Sequence, residues 1–128
     1  MEHHSIADSD PATTFGYVAR ELGRRQVAFL FVRESLDGGP RFGPAMRRAF
    51  GGVYIANEGF DAATAQQVLE NGEADAVSWG QMFLANPDLP RRLERELPLN
   101  APVPATFYAS GATGYIDYPV WEQAAIAA

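Results

Sequence analysis

The stretch Tyr54–Gly80 reads YIANEGFDAATAQQVLENGEADAVSWG, and its alternation of patterns decides the fold. It begins inside an apolar run, GGVYIAN (Gly51–Asn57), of strand length. EGFD follows as a turn, with Asp61 placed to cap a helix. AATAQQVLENG reads as that helix, and Gly72 is its C-terminal stop. ADAVSW is then another strand, ended by Gly80. A strand, a helix and a second strand in about 27 residues make a right-handed βαβ unit, so the two strands lie parallel.

The same grammar extends both ways. Upstream, VAFLFV (Val27–Val32) is a continuous apolar run, which predicts a strand buried on both faces. DSDPATTFGYVARELGRRQ reads as a helix, with Asp10 as cap, Pro11 in its first turn, and a stripe of Phe15, Val18 and Leu22. SLDGGPRFGP is a loop and AMRRAF a short helix. Downstream, MFLANPDLPRRLEREL is a helix broken near Pro87 that restarts with Asp88 as cap and Pro90 early. A loop-like tail ends in VWEQAAIAA, read as a last helix. The order is α-β-α-β-α-β-α plus a tail, read as one domain over residues 1–128 with residues 1–8 flexible.

Composition narrows the function classes. With 128 residues, 47% of them apolar, the chain builds one core. A net charge of -6 argues against nucleic acid and anionic membrane as main partners. The basic pairs Arg24-Arg25, Arg47-Arg48 and Arg91-Arg92 read as solvated faces. The absence of cysteine excludes disulfides, thiolate metal sites and cysteine nucleophiles. No apolar run approaches membrane-spanning length, and the polar, acidic N-terminus is not a signal peptide, so a cytoplasmic location is expected.

In a parallel α/β sheet, ligands meet the carboxyl ends of the strands. Those ends carry Arg33-Glu34, Asn57–Phe60 and Gly80-Gln81. Two successive units place a glycine there, and main-chain N–H groups that come close to a ligand, followed by a helix N-terminus, suit a phosphate. The plainer alternative is that both glycines only serve tight strand-to-helix turns. His3 and His4 sit in a polar terminus and read as surface residues rather than metal ligands. Asp8, Asp10, Asp61 and Asp88 read as caps or acidic turns. Ser78 and Ser110 have no histidine at hand for a triad. GATG (Gly111–Gly114) lacks the ending of a Walker motif. Phe107 and Tyr108 form an aromatic pair in a loop, for which core packing is the default. No catalytic residue and no metal ligand is assigned.

DSDPATTFGYVAREL, AFLFVRE, the opening stretch, FLANPDLPRRL, PLN and TFYASGATGYIDYP occur in an order that resembles the C-terminal third of the Old Yellow Enzyme family, the FMN-dependent ene-reductases. ANPDLPRRL and GYIDYP are its most specific pieces. The resemblance implies the last three βα units of a (β/α)8 TIM barrel, incomplete as a barrel. It implies FMN as cofactor, NAD(P)H as reductant and an activated alkene, such as an enone, as substrate. By position, Asn57, Glu58, Gly59, Phe60, Gly80 and Gln81 match the family's phosphate site. Phe107 matches its flavin-side aromatic and Tyr108 its substrate-side one.

Two departures stand out. Relatives usually carry Arg or Lys where this chain has Gln81, and a charge-assisted phosphate contact is worth roughly 1.5–3 kcal/mol, so this contact predicts FMN binding about ten-fold weaker or worse. Many relatives have a small residue at Glu58, whose carboxylate is therefore expected to face solvent. The proton-donating tyrosine and the substrate-anchoring pair that the family uses have no counterpart in these residues. Three strands also leave two unpaired edges and an uncovered face. The expectation is thus a chain carrying the phosphate half of an FMN site and inactive alone. It would join a missing N-terminal half or another copy of itself. The alternatives are a non-catalytic half-barrel that binds or dimerises, and a remnant without activity.

Overall fold

The computed structural model describes residues 8–36, 39 and 41–122. Three parallel strands, β1 (Phe29–Arg33), β2 (Val53–Asn57) and β3 (Ala76–Ser78), stand in the order β1-β2-β3. The helices are α1 (Pro11–Arg24), α2 (Gly43–Phe50), α3 (Ala62–Glu70), α4 (Gln81–Ala85) and α5 (Leu89–Glu94), followed by a 3-10 turn at Pro104–Thr106. Helical backbone resumes at Trp121 and Glu122, and the rest of the expected last helix lies outside the described residues, as do His3 and His4. The chain forms two compact units, Met1–Ser78 and Trp79–Ala128.

In the first unit, the caps act as the sequence indicates. Asp10 accepts from the Thr13 amide at 3.2 Å, and Asp61 closes a reciprocal box with Thr64, at 2.8 and 2.9 Å. Gly72, with φ of 67°, follows α3 as its stop. Gly23 lets α1 lie directly on α2, because a Cβ there would stand 2.3 Å from the Phe50 carbonyl oxygen. Asp75 bonds Tyr54 through both main chain and side chain, while its other carboxylate oxygen takes Arg47 at 2.7 Å.

Among the described residues, the sheet is covered on one face only. Tyr54 and Ala56 are buried, with the Tyr54 hydroxyl beside Gly43 of α2. On the other face Phe29, Phe31 and Val53 remain 52%, 51% and 50% exposed. The apolar run VAFLFV predicted a strand buried on both sides. The structure corrects this, because strand side chains alternate and helices pack against one side alone. The α1 stripe lies over an open space rather than a closed core. Ala19 is the buried residue of the helix, while Phe15 and Val18 line an open apolar pocket of about 340 Å³ with Leu30, Val32 and Met46. Residues from both faces of β1 line that pocket, so it lies at the strand's edge, and β2 holds the opposite edge.

The second unit is organised around one buried cation. Arg92 is 1% exposed, which corrects the expectation that Arg91-Arg92 is a solvated face. Its guanidinium donates to Asp88 Oδ1 at 2.7 Å, to the Pro98 carbonyl at 2.6 Å and to the Pro119 carbonyl at 2.9 Å, and it lies 6.0 Å from the Trp121 ring centre. Asn100 and the buried Asn86 interlock beside it: the Asn100 amide donates to Asn86 Oδ1 at 2.7 Å, and the Asn100 side chain donates to the Ala85 and Pro119 carbonyls, both at 2.8 Å. NPDLPRRL, PLN and the end of GYIDYP therefore meet in one knot that folds the tail back onto α4 and α5. Asp88 does not cap α5 with its side chain, as the sequence suggested. Its carboxylate instead bridges Arg92 and the Trp121 amide, at 2.7 and 2.9 Å.

Removing one member of a buried ion pair strands the other, so Arg92→Ala is expected to lower stability by about 3–5 kcal/mol in urea unfolding. Burial pushes the Asp88 carboxyl up, but the Trp121 amide and Arg92 outweigh it and hold it below the usual carboxylate range. Its contribution is therefore complete above the unfolded value of about 3.9 and lost as pH falls through the folded one. Asp88→Asn should separate from the parent in melting temperature at neutral pH and converge with it in acid.

Candidate functional site

Parallel pairing places Arg33, Asn57 and Ser78 in one row at the carboxyl ends of β1, β2 and β3. Asn57 does not project toward a ligand. Its side-chain amide donates to the Ser78 carbonyl and hydroxyl oxygens at 2.8 and 3.0 Å and ties the ends of β2 and β3 together. Glu34, one residue past β1, is directed elsewhere. Its carboxylate accepts from the Phe42 and Gly43 amides at the start of α2, with Arg41 at 3.7 Å. Burial, and then the Glu34 charge, push the Tyr54 hydroxyl up to about 12, so this phenol keeps its proton at neutral pH.

The chain leaves β2 through two successive residues with positive φ, Glu58 at 83° and Gly59 at 80°. That conformation is ordinary for glycine and unfavourable for glutamate. The Glu58 side chain is partly exposed, as the sequence suggested, but it is not free in solvent. Both of its oxygens engage Arg33, with Nε at 2.8 Å and Nη2 at 3.2 Å. Phe60 is buried, so it has only its main chain to offer a ligand. Asp61 already takes the Thr64 amide of α3. An anion at this turn would therefore meet loop amides rather than the helix end.

In the second unit, Gly80 precedes α4, whose start has no side-chain cap. Its φ of -88° is open to any residue, and a Cβ built there meets nothing within 4 Å. Neither backbone strain nor a close neighbour requires glycine at this position. The space beside it leaves room for a ligand to approach the main chain. Gln81 is exposed at the first position of α4. Phe107 is half-buried at the end of the 3-10 turn, and Tyr108 is 88% exposed. Tyr108 is thus not a core residue, against the default for a loop aromatic. Sequence reasoning missed the Arg33–Glu58 pair and the Arg92 knot. The pair joins residues 25 positions apart, which no local pattern signals.

These features define a piece of an α/β protein built from βα units. No family model matches the sequence. Among curated proteins, a 12-oxophytodienoate reductase-like protein of Solanum lycopersicum is 39% identical over 118 residues, covering 91% of this chain and 33% of the relative. A probable flavin mononucleotide-dependent alkene reductase of Leishmania infantum is 40% identical, covering 88% and 32%. Among solved structures, morphinone reductase in complex with tetrahydroNAD aligns with a TM-score of 0.85 and 41% identity, covering 94% of this chain and 33% of that one. The Old Yellow Enzyme homologue of Zymomonas mobilis aligns with a TM-score of 0.85 and 38% identity, covering 89% and 34%. The homologues of this chain are thus reductases of the Old Yellow Enzyme family, and the chain spans about a third of the length of those relatives. Among the described residues no helix is long and apolar enough to cross a membrane.

Asn57→Ala removes both bonds to Ser78 and leaves its carbonyl without that partner. We expect a loss of about 1–3 kcal/mol in denaturant unfolding.

Proposed function

We propose that this chain carries the FMN-phosphate half of an Old Yellow Enzyme-type site, as the last three βα units of a (β/α)8 barrel. The observation that supports this most is the match of nearly the whole chain to reductases of that family, one of them named for flavin mononucleotide. Main-chain groups at Asn57–Phe60 and at Gly80-Gln81 are the phosphate donors, with Phe107 beside the flavin and Tyr108 toward the substrate. In a completed site, FMN would supply the hydride-transfer chemistry between NAD(P)H and an activated alkene. The chain's own share is to bind and orient: amides hold the phosphate and the aromatic pair forms part of the wall.

Nothing among these residues corresponds to the family's proton-donating tyrosine, so the chain alone binds FMN without turnover. Purified protein should quench FMN fluorescence on binding and show no enone-dependent NADPH oxidation. Oxidation of NADPH with an enone would overturn this claim of inactivity. Absence of any FMN binding would overturn the site. Gln81→Arg adds a charge-assisted donor and is expected to tighten FMN about ten-fold. Gly80→Ala should keep the melting temperature, since its Cβ has room, and weaken FMN.

A second proposal concerns the partner. The half-exposed Phe29, Phe31 and Val53 and the open edge of β1 favour association, either with the remaining part of a barrel or with a second copy. A colourless protein that sediments as a defined dimer would favour a non-catalytic module over a reductase half. Cytoplasmic residence belongs to the same proposal and is checked by fractionation.

A further inference from the structure

The pair of Arg33 and Glu58 asks for an explanation that the flavin site does not contain. A non-glycine residue sits at φ of 83° in the turn after β2, and it is an acid. Both features oppose an anion site: the backbone is strained, and the charge has the wrong sign. An exposed ion pair that only decorated the surface would not need such a backbone. The geometry is specific. Arg33 stands in register with Asn57, so its side chain reaches one residue diagonally to Glu58 and meets both carboxylate oxygens in a fork. On the opposite side Asn57 is bonded to Ser78. The turn is thus strapped at two adjacent residues, by β1 through Glu58 and by β3 through Asn57. Next in the chain comes Gly59, whose φ of 80° completes the turn and sets the direction of its amide.

We propose that Arg33 is a positioning residue: by gripping Glu58 it holds the turn after β2 in its left-handed form and draws the glutamate charge away from the phosphate donors. This rests on the FMN-phosphate assignment above. Arg33 acts through Glu58 and does not itself touch the phosphate. Both features of position 58 then have one cause. The carboxylate is the handle by which β1 fixes the turn, and the strained backbone persists because the fork is bidentate.

The test uses the full chain with FMN as probe and four variants: Arg33→Ala, Arg33→Lys, Glu58→Gly and the double variant Arg33→Ala/Glu58→Gly. Arg33→Ala should weaken FMN by about ten-fold, and Arg33→Lys, which keeps the charge and loses the fork, should recover only part. Glu58→Gly keeps the main-chain donors of the turn, removes the carboxylate and relieves the strain, and should bind FMN more tightly than the parent. Adding Arg33→Ala to Glu58→Gly should then change nothing. An equal loss from Arg33→Ala in both backgrounds, or no loss in either, would overturn the proposal. The Gly59 amide signal in a two-dimensional spectrum separates this from the site assignment. It should move in Arg33→Ala and stay in place when that change is made in the Glu58→Gly background. If the parent binds no FMN, the site assignment falls, and a moved Gly59 signal in Arg33→Ala still upholds the strap. An unmoved signal overturns it.

Discussion

Parallel, in-register pairing of β2 with both neighbours is the constraint on which the rim depends. It sets Arg33 beside Asn57 and Asn57 beside Ser78. From that row come the Arg33–Glu58 fork and the Asn57–Ser78 tie, and through them the course of the chain into α3. A slip of β2 by one residue would turn its side chains to the opposite face. Tyr54 and Ala56 would leave the core, and Asn57 would leave the row it shares with Arg33 and Ser78. The polar rim and the apolar core are thus fixed by the same register.

The second unit solves a different problem. Its tail has little regular structure, and Arg92 replaces it with one cation that binds two carbonyls and a carboxylate. Burying a guanidinium is costly unless its donors are met, and here Asp88, Pro98 and Pro119 meet them. The segment that carries Phe107 and Tyr108 lies between two anchors of this knot, Asn100 and Pro119. Tyr118 adds a further tie, since its hydroxyl accepts from the Val103 amide.

Much of the architecture was legible because it is local. Asp10, Asp61 and Gly72 mark helix ends through contacts within a few residues, and the alternation of apolar runs with helical stripes named the parallel α/β class. Burial was less legible. VAFLFV looks the same whether its second face is covered or open, since a run of apolar residues does not say what lies across from it. The side-chain partners were not legible at all. Arg92 reads as a surface residue because helical spacing cannot reveal that Pro98 and Pro119 return to it. Glu58 reads as a solvent-facing acid because its partner lies on another strand. At the candidate site, the glycine positions and the Asp61 cap of α3 were visible in sequence, but not that the start of α4 has no side-chain cap.

The central claim is that main-chain groups of this chain receive the phosphate of FMN. Comparing FMN with riboflavin, which differs by that phosphate, tests it most directly in a two-dimensional amide spectrum of the labelled chain. FMN should shift the amides of Gly59, Gly80 and Gln81, and riboflavin should leave them in place. Equal shifts from both ligands, or shifts from FMN confined to other residues, would contradict the account.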